Sequence, residues 1–334
     1  MAKSRPKTHL IFDQTYLKNL LSRALKVKRF KKISIYPVKV RLTPTFEHVV
    51  LAVKARLPSG KTFGLYAMGH SSGIKKNLYH ILKFLKARVD KTGLDVPEPL
   101  VYDPKTKSIV YKELNGPNLY ALLEKKKTGL LPIFRQFGTS MAKMHSLTPS
   151  KILKPHNLDM RELDPSNILA DIKKRNKSLY MRINKAKSRL SHAKAKLLKS
   201  KRDRVVVHGD LHPENVIILN HDYKNPKLGM IDVENASLDE REYDLGSFLE
   251  QVEIMATPFY KKSQIQSFQR AFLNAYLEQA KLKPDASMEK QINLYKAFFG
   301  LKATIFYFRL GWHKKLEKIL KRVEKHLNQI EKKL

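Results

Sequence analysis

Three early stretches alternate apolar and polar residues with period two, and most of the remaining chain repeats its apolar positions every three or four residues. Residues 33–42 (ISIYPVKVRL), 48–57 (HVVLAVKARL) and 62–68 (TFGLYAM) are rich in β-branched and aromatic side chains, which predicts half-buried strands. Pro58-Ser59-Gly60-Lys61 supplies a hairpin turn between the second and third. Before them, 13–25 reads as a helix: Asp13 can cap it, and Tyr16, Leu17, Leu20, Leu21 and Ala24 recur at helical spacing. A helix over 74–88 and strands at 100–102 and 108–112 complete this strand-rich block.

The second half is helical. After a helix over 118–124, residues 133–147 place Phe134, Phe137, Met141 and Met144 on one face. Pro149, Pro155 and Pro165 mark loops, and Asp164-Pro165-Ser166 opens a segment to about 172. From 179 to about 200, Ile183, Ala186, Leu190, Ala193 and Leu197 step as one helix face. Helices over 247–255, 263–280, 288–308 and 314–334 follow, broken by Pro258 and Pro284. The last puts Leu316, Ile319, Leu320, Val323, Leu327 and Ile330 on one side, suited to docking or, with its basic far side, to an anionic membrane surface. The aromatic group Phe298, Phe299, Phe306, Tyr307, Phe308 and Trp312 reads as core, or as the wall of an acceptor pocket.

Residues 205–245 break the helical pattern. Short apolar runs at 205–207, 216–219 and 228–231 are separated by the turn His208-Gly209-Asp210-Leu211-His212-Pro213-Glu214-Asn215 and a polar hairpin. Asp210, Asn215 and Asp232 thus sit at strand ends. Phosphoryl transfer from a nucleotide needs one carboxylate to take the proton of the attacking hydroxyl, and an amide and a second carboxylate to hold Mg2+.

The spacing His-x-Asp-x-x-x-x-Asn, followed by Asp after a strand, is the protein-kinase pattern, with Gly209 where many kinases carry Arg. The longer set HGDLHPEN, IDVEN and YDLG, with FGTSMAKMHSL upstream, resembles the aminoglycoside phosphotransferase and choline kinase family over about 113–249. The resemblance implies an α+β, two-lobed protein-kinase-like fold, with a small antiparallel β lobe and a mostly helical large lobe. Its expected division is a basic helical extension over 1–32, a small nucleotide-binding-type lobe over 33–112, and a large catalytic and acceptor lobe over 113–334 containing a basic helix at about 179–204. It implies ATP (or GTP) and Mg2+ as cofactors and a small-molecule hydroxyl acceptor. Asp210 would be the base, Asn215 and Asp232 the metal ligands, and the Glu113-Leu114 backbone the adenine contact. Asp244 would be a buried carboxylate that fixes the catalytic loop, with His145 and His208 as its scaffold; a role for His212 stays open.

The small lobe departs from the family. The loop 43–48 has no glycine with which to bring amides close to phosphates. The strand 63–68 has no Lys or Arg, and the helix 74–88 has no acid to hold one. Either Lys75 or Lys76, at a helix start, replaces the missing lysine, or the small lobe does not grip nucleotide in the family's way.

Composition sharpens two points. Without cysteine there is no disulfide, thiolate metal site or cysteine nucleophile. No apolar run approaches the ~20 residues of a membrane span, and 1–12 is too short in apolar residues for a secretory signal, so a cytoplasmic location is expected. The formal charge of +36, from 66 Lys+Arg against 30 Asp+Glu, attracts polyanions unless it is simply a solvated lysine bias. Lys185, Lys187, Arg189, Lys194, Lys196, Lys199, Lys201 and Arg202 make the 179–204 helix the most cationic part. That surface suits an anionic acceptor or an anionic partner, RNA or a membrane surface. The acids Glu234, Asp239, Glu240, Glu242, Asp244, Glu250 and Glu253 instead favour an amine, which acids hold in related kinases. The rival to a kinase is therefore a catalytically silent kinase-like protein that binds RNA or another polyanion.

Overall fold

The structure, a computed structural model, describes residues 7–43, 45–164, 167–198 and 204–332, apart from the side chains at 90 and 314. Pro44, Pro165, Ser166, Lys199, Lys201, Arg202 and the ends of the 179–200 and 314–334 helices, all used above, lie outside the described residues. The chain divides into two compact units. The smaller comprises 1–117, 217–221 and 227–234; the larger comprises 118–216, 222–226 and 235–334.

The elements of the first part are α1 (Gln14–Leu25), β1 (Lys32–Leu42), β2 (Glu47–Arg56), β3 (Thr62–His70), α2 (Lys75–Lys86), β4 (Leu94–Asp95), β5 (Pro99–Asp103) and β6 (Ser108–Lys112). There follow α3 (Leu119–Glu124), α4 (Leu131–His145), α5 (Ile168–Arg175), α6 (Lys177–Leu197), β7 (Val205–Val207), β8 (Val216–Ile218), β9 (Leu228–Met230) and β10 (Ser237–Asp239). The chain ends with α7 (Arg241–Ala256), α8 (Lys262–Ala280), α9 (Ala286–Arg309) and α10 (His313–Glu331). The architecture is α+β, an antiparallel sheet in the small unit and a helical large unit.

In the small unit the strands run in the order β1-β2-β3-β6-β5, all antiparallel. Period-two alternation decides which side chains are covered. Val49, Leu51 and Val53 of β2 and Leu65 and Ala67 of β3 are buried with Leu17, Leu20 and Leu21 of α1. Asp13 caps α1 by accepting from the Tyr16 amide at 2.7 Å. The other face of β2 and β3 carries His48, Val50, Ala52, Tyr66, Met68 and His70, all half-buried. A second, three-stranded sheet has β4 parallel to β9, with β8 beside it.

The large unit is held by helix faces. Phe134 and Phe137 of α4 stack on Phe268 and Phe272 of α8, with centroids 4.7 and 5.7 Å apart. The six apolar side chains of α10 are all buried in one cluster with α6 and α9. Each such side chain contributes on the order of 1.5–3 kcal/mol. The apolar side of α10 is thus not offered to a membrane. The basic face of α6 is also not wholly solvated: Arg182 binds Glu317 and Glu324, and Arg189 binds Glu331 and Asn328, all on α10. Among the described residues, no helix is long and apolar enough to cross a membrane.

Residues 154–163 are fastened to β10. The His156 amide donates to Leu238 O at 2.9 Å, and the Leu238 amide to Lys154 O at 3.0 Å. The His156 ring lies between Asp239 (2.6 Å) and Glu162 (2.8 Å). These hydrogen bonds, Asp239 first, outweigh burial and raise the imidazole from 6.5 to about 9. The folded pKa is the higher one, so this stabilisation is complete below pH 6.5 and is lost as pH rises through about 9. Thermal unfolding of the wild type will therefore show a Tm that falls between those values, and His156→Gln will flatten that slope.

Candidate active site

The turn after β7 is built on a glycine and a buried carboxylate. Gly209 has φ +86°, and a Cβ there would lie 2.3 Å from the Asn235 carbonyl oxygen. Asp244, in the first turn of α7 and fully buried, accepts from the His208 amide at 2.7 Å and the Gly209 amide at 3.1 Å. His145 Nε2 lies 3.1 Å from the same carboxylate, and His145 Nδ1 is 2.8 Å from the Tyr276 hydroxyl. Burial pushes the Asp244 carboxyl up, but the His145 hydrogen bond and the neighbouring imidazole charges prevail and hold it below its usual range. The Asp210 amide donates to His208 Nδ1 at 3.2 Å, so both imidazoles serve the loop as scaffold.

Asp210 and Asn215 are brought together by the 3-10 turn Pro213–Asn215. Asn215 Nδ2 donates to Asp210 O at 2.9 Å, which turns its Oδ1 the other way. An amide oxygen in that position is a suitable ligand for a hard cation. His212 Nε2 stands 4.0 Å from Asp210 Oδ2, and Nδ1 3.6 Å from Glu214 Oε2. Burial, then the charge of Asp210, raises the Glu214 carboxyl. Asp210, His212 and Glu214 are among the residues that line a cavity of about 570 Å³. A base needs that position: a half-exposed carboxylate in the wall of a space sized for a small molecule.

The small unit holds the remaining candidates. Asp232, two residues beyond the end of β9, has φ +59°, a left-handed conformation that costs a non-glycine residue roughly 1–2 kcal/mol. Two residues on, Glu234 forms an ion pair with Lys75, whose side chain is 3% exposed. The acid that the sequence lacks in α2 is thus supplied from beyond Asp232. His48 and His70 are cross-strand partners, with ring centroids 5.1 Å apart. Burial, then Lys39 and Lys75, hold His48 down to about 4, and it stays neutral. His48 Nε2 is buried without a partner among the described residues. In place of a glycine loop, the β1–β2 turn is closed by Thr43 and Phe46 amides, and Phe46 packs edge-on against His70 at 5.0 Å.

Glu113 continues the β6 ladder, its amide donating to Gly64 O at 2.9 Å. The Glu113 carbonyl and the Leu114 and Asn115 amides make no hydrogen bond among the described residues. The Leu114 side chain lies against Gly229 of β9. Sequence reasoning named Lys75 and Asp232 here but missed Glu234 as the partner of Lys75. It also missed the two histidines, for which the available signal was the matched ends of adjacent strands.

The sequence matches the model of the APH phosphotransferase enzyme family over residues 76–284, more than half of the chain, and the protein belongs to that family. No curated protein matches it. Solved structures similar to it include the spectinomycin phosphotransferase APH(9)-Ia in complex with ADP and spectinomycin, 14% identical with a TM-score of 0.59, over 94% of this chain and 98% of that one. Choline kinase LicA from Streptococcus pneumoniae is 14% identical with a TM-score of 0.58, over 95% and 99%. Amicoumacin kinase hAmiN, with AMP-PNP, Ca2+ and its antibiotic, is 13% identical with a TM-score of 0.59, over 96% and 95%. At such identities the likeness is one of fold, the protein-kinase-like fold of these enzymes.

Removing the Asp244 carboxylate takes the acceptor from two backbone amides, that of His208 buried, and one of two partners from the buried His145 ring. Asp244→Ala will cost about 3–5 kcal/mol, read as a loss of unfolding free energy in urea.

Proposed function

We propose that this phosphotransferase moves the γ-phosphate of ATP or GTP to a hydroxyl of a small-molecule acceptor, with Mg2+, in the cytoplasm where such nucleotides are supplied. The observation that carries this reading is the Asp210 carboxylate in the wall of a ligand-sized cavity. Asp210 takes the acceptor's proton. The acceptor oxygen forms its bond to phosphorus as the bond to the β–γ bridging oxygen breaks, and the diphosphate leaves with that electron pair. Asn215 and Asp232 would hold the metal, since an amide oxygen and a carboxylate suit Mg2+, and its charge would offset that of the phosphates.

The small unit serves as the nucleotide lobe and the large unit as the catalytic and acceptor lobe. Lys75, with one ammonium proton engaged by Glu234, has two left for phosphate oxygens. The Glu113 carbonyl and the Asn115 amide form an acceptor and donor pair on one edge of the chain, suited to a purine, with Leu114 between them. Nucleotide complexes among the similar structures support a nucleotide-binding reading in general.

Nucleotide consumption with purified protein tests this directly. Asp210→Asn will bind nucleotide in the presence of Mg2+ yet lose transfer by roughly a hundred- to ten-thousand-fold. Absence of nucleotide binding by the wild type, with salt-sensitive RNA binding in its place, would overturn the proposal.

The lysine assignment has its own test. Lys75→Met will raise the nucleotide KM about tenfold or more, and Glu234→Gln will raise it less, because Lys75 keeps its charge. Equal KM values in both variants and wild type would remove Lys75 from the phosphate site.

A further inference from the structure

The cavity beside Asp210 has a charge pattern that bears on its acceptor. Asp210, His212 and Glu214 line it together with Lys302 and Arg309 of α9 and Lys315 near the start of α10. Two carboxylates therefore share the cavity with three cations. None of the three cations pairs with a carboxylate among the described residues. Lys302 and Lys315 are half-buried and Arg309 is exposed, and cations left without a carboxylate favour an anion.

The aromatic wall adds a second constraint. Tyr307 and Trp312 stack with centroids 5.2 Å apart and planes at 16°. Lys315 Nζ sits 4.5 Å from the Trp312 centroid and 5.7 Å from that of Tyr307. The ring faces that would receive an ammonium from a ligand already hold the chain's own. Four of this unit's acids are committed elsewhere: Asp239 to His156, Asp244 to His145, Glu240 to the Tyr295 hydroxyl, and Glu250 to Arg322 and His326. None of these four lines the cavity. Phe306, Leu310 and Trp312, all more than 40% exposed, form an apolar rim.

Resting on the phosphotransfer reading above, we propose that the acceptor is an anionic alcohol, a hydroxyl compound with an acid group on an apolar or aromatic body. Lys302 and Arg309 hold the acid group, the Phe306–Trp312 wall covers the body, and the hydroxyl reaches Asp210. The cavity volume, about 570 Å³, fits a molecule of that kind.

A matched series tests the charge preference: para-(hydroxymethyl)benzoate, the corresponding benzamide and the corresponding benzylamine. Trp312 is the chain's single tryptophan, so its fluorescence reports occupancy without any turnover. The benzoate will quench it saturably and will bind at least about tenfold more tightly than the other two. Arg309→Glu, at an exposed position, will remove that preference, and Lys302→Glu will do the same in a second variant. With ATP and Mg2+, the benzoate will also have the highest kcat/KM. Equal or tighter binding of the amine, or no response to the acid, overturns the inference and leaves the phosphotransfer reading standing. Failure of every acceptor to be phosphorylated counts against phosphotransfer alone, because the fluorescence titration still decides the charge preference.

Discussion

Everything in the large unit that concerns chemistry hangs on the Asp244 carboxylate. β7 and β10 are only three residues each, and three residue pairs are too few to fix the turn that follows. The carboxylate supplies what the ladder does not. It accepts from the two amides that begin the turn and is itself balanced by His145, which is tied to Tyr276. The loop is thereby fastened to α4, α7 and α8 at once. A buried carboxylate is expensive to desolvate, and it persists only where its partners are this complete. Gly209 is the corollary. Its left-handed backbone lets both amides point at one carboxylate, and the closeness of Asn235 leaves no room for a side chain.

The small unit solves a different problem. The face of β3 opposite the core presents Gly64, Tyr66, Met68 and His70, and Gly64 is closed off by the Glu113 carboxylate. A lysine at the middle of this strand would have to displace the stacked Tyr66 and Tyr111 rings, 5.8 Å apart. A buried cation stands instead at the first residue of α2, and its acid comes from the turn after Asp232. The ion pair therefore joins α2 to the segment that carries the left-handed Asp232.

What could be read from the sequence follows from how local each determinant is. β1, β2 and β3 alternate over nine or more residues, and α4, α9 and α10 repeat over several turns, so periodicity announced them. β4 is two residues long and β10 three; they exist only because β9 and β7 lie alongside, and nothing in their own residues signals it. Asp210, Asn215 and Asp232 could be singled out because the motif that marks them lies within one short stretch of the chain. Glu234 was visible as an acid but not as the partner of Lys75, from which it is 159 residues distant. Arg182 and Arg189 show the same limit: a basic helix face looks identical in sequence whether it is wet or paired, and only the acids of α10 distinguish the two.

The charge excess takes on a structural meaning once the acids are located. Many of the 30 acids are engaged inside the fold, on histidines, on Arg182, Arg189 and Arg322, and on Lys75. Each acid so used neutralises a cation that was needed for packing, and it leaves the lysines of the surface without counter-charges. The net field is then set by the unpaired cations; it draws anions in, and salt screens it over about 8–10 Å. That attraction is a property of the whole surface and not of any one loop.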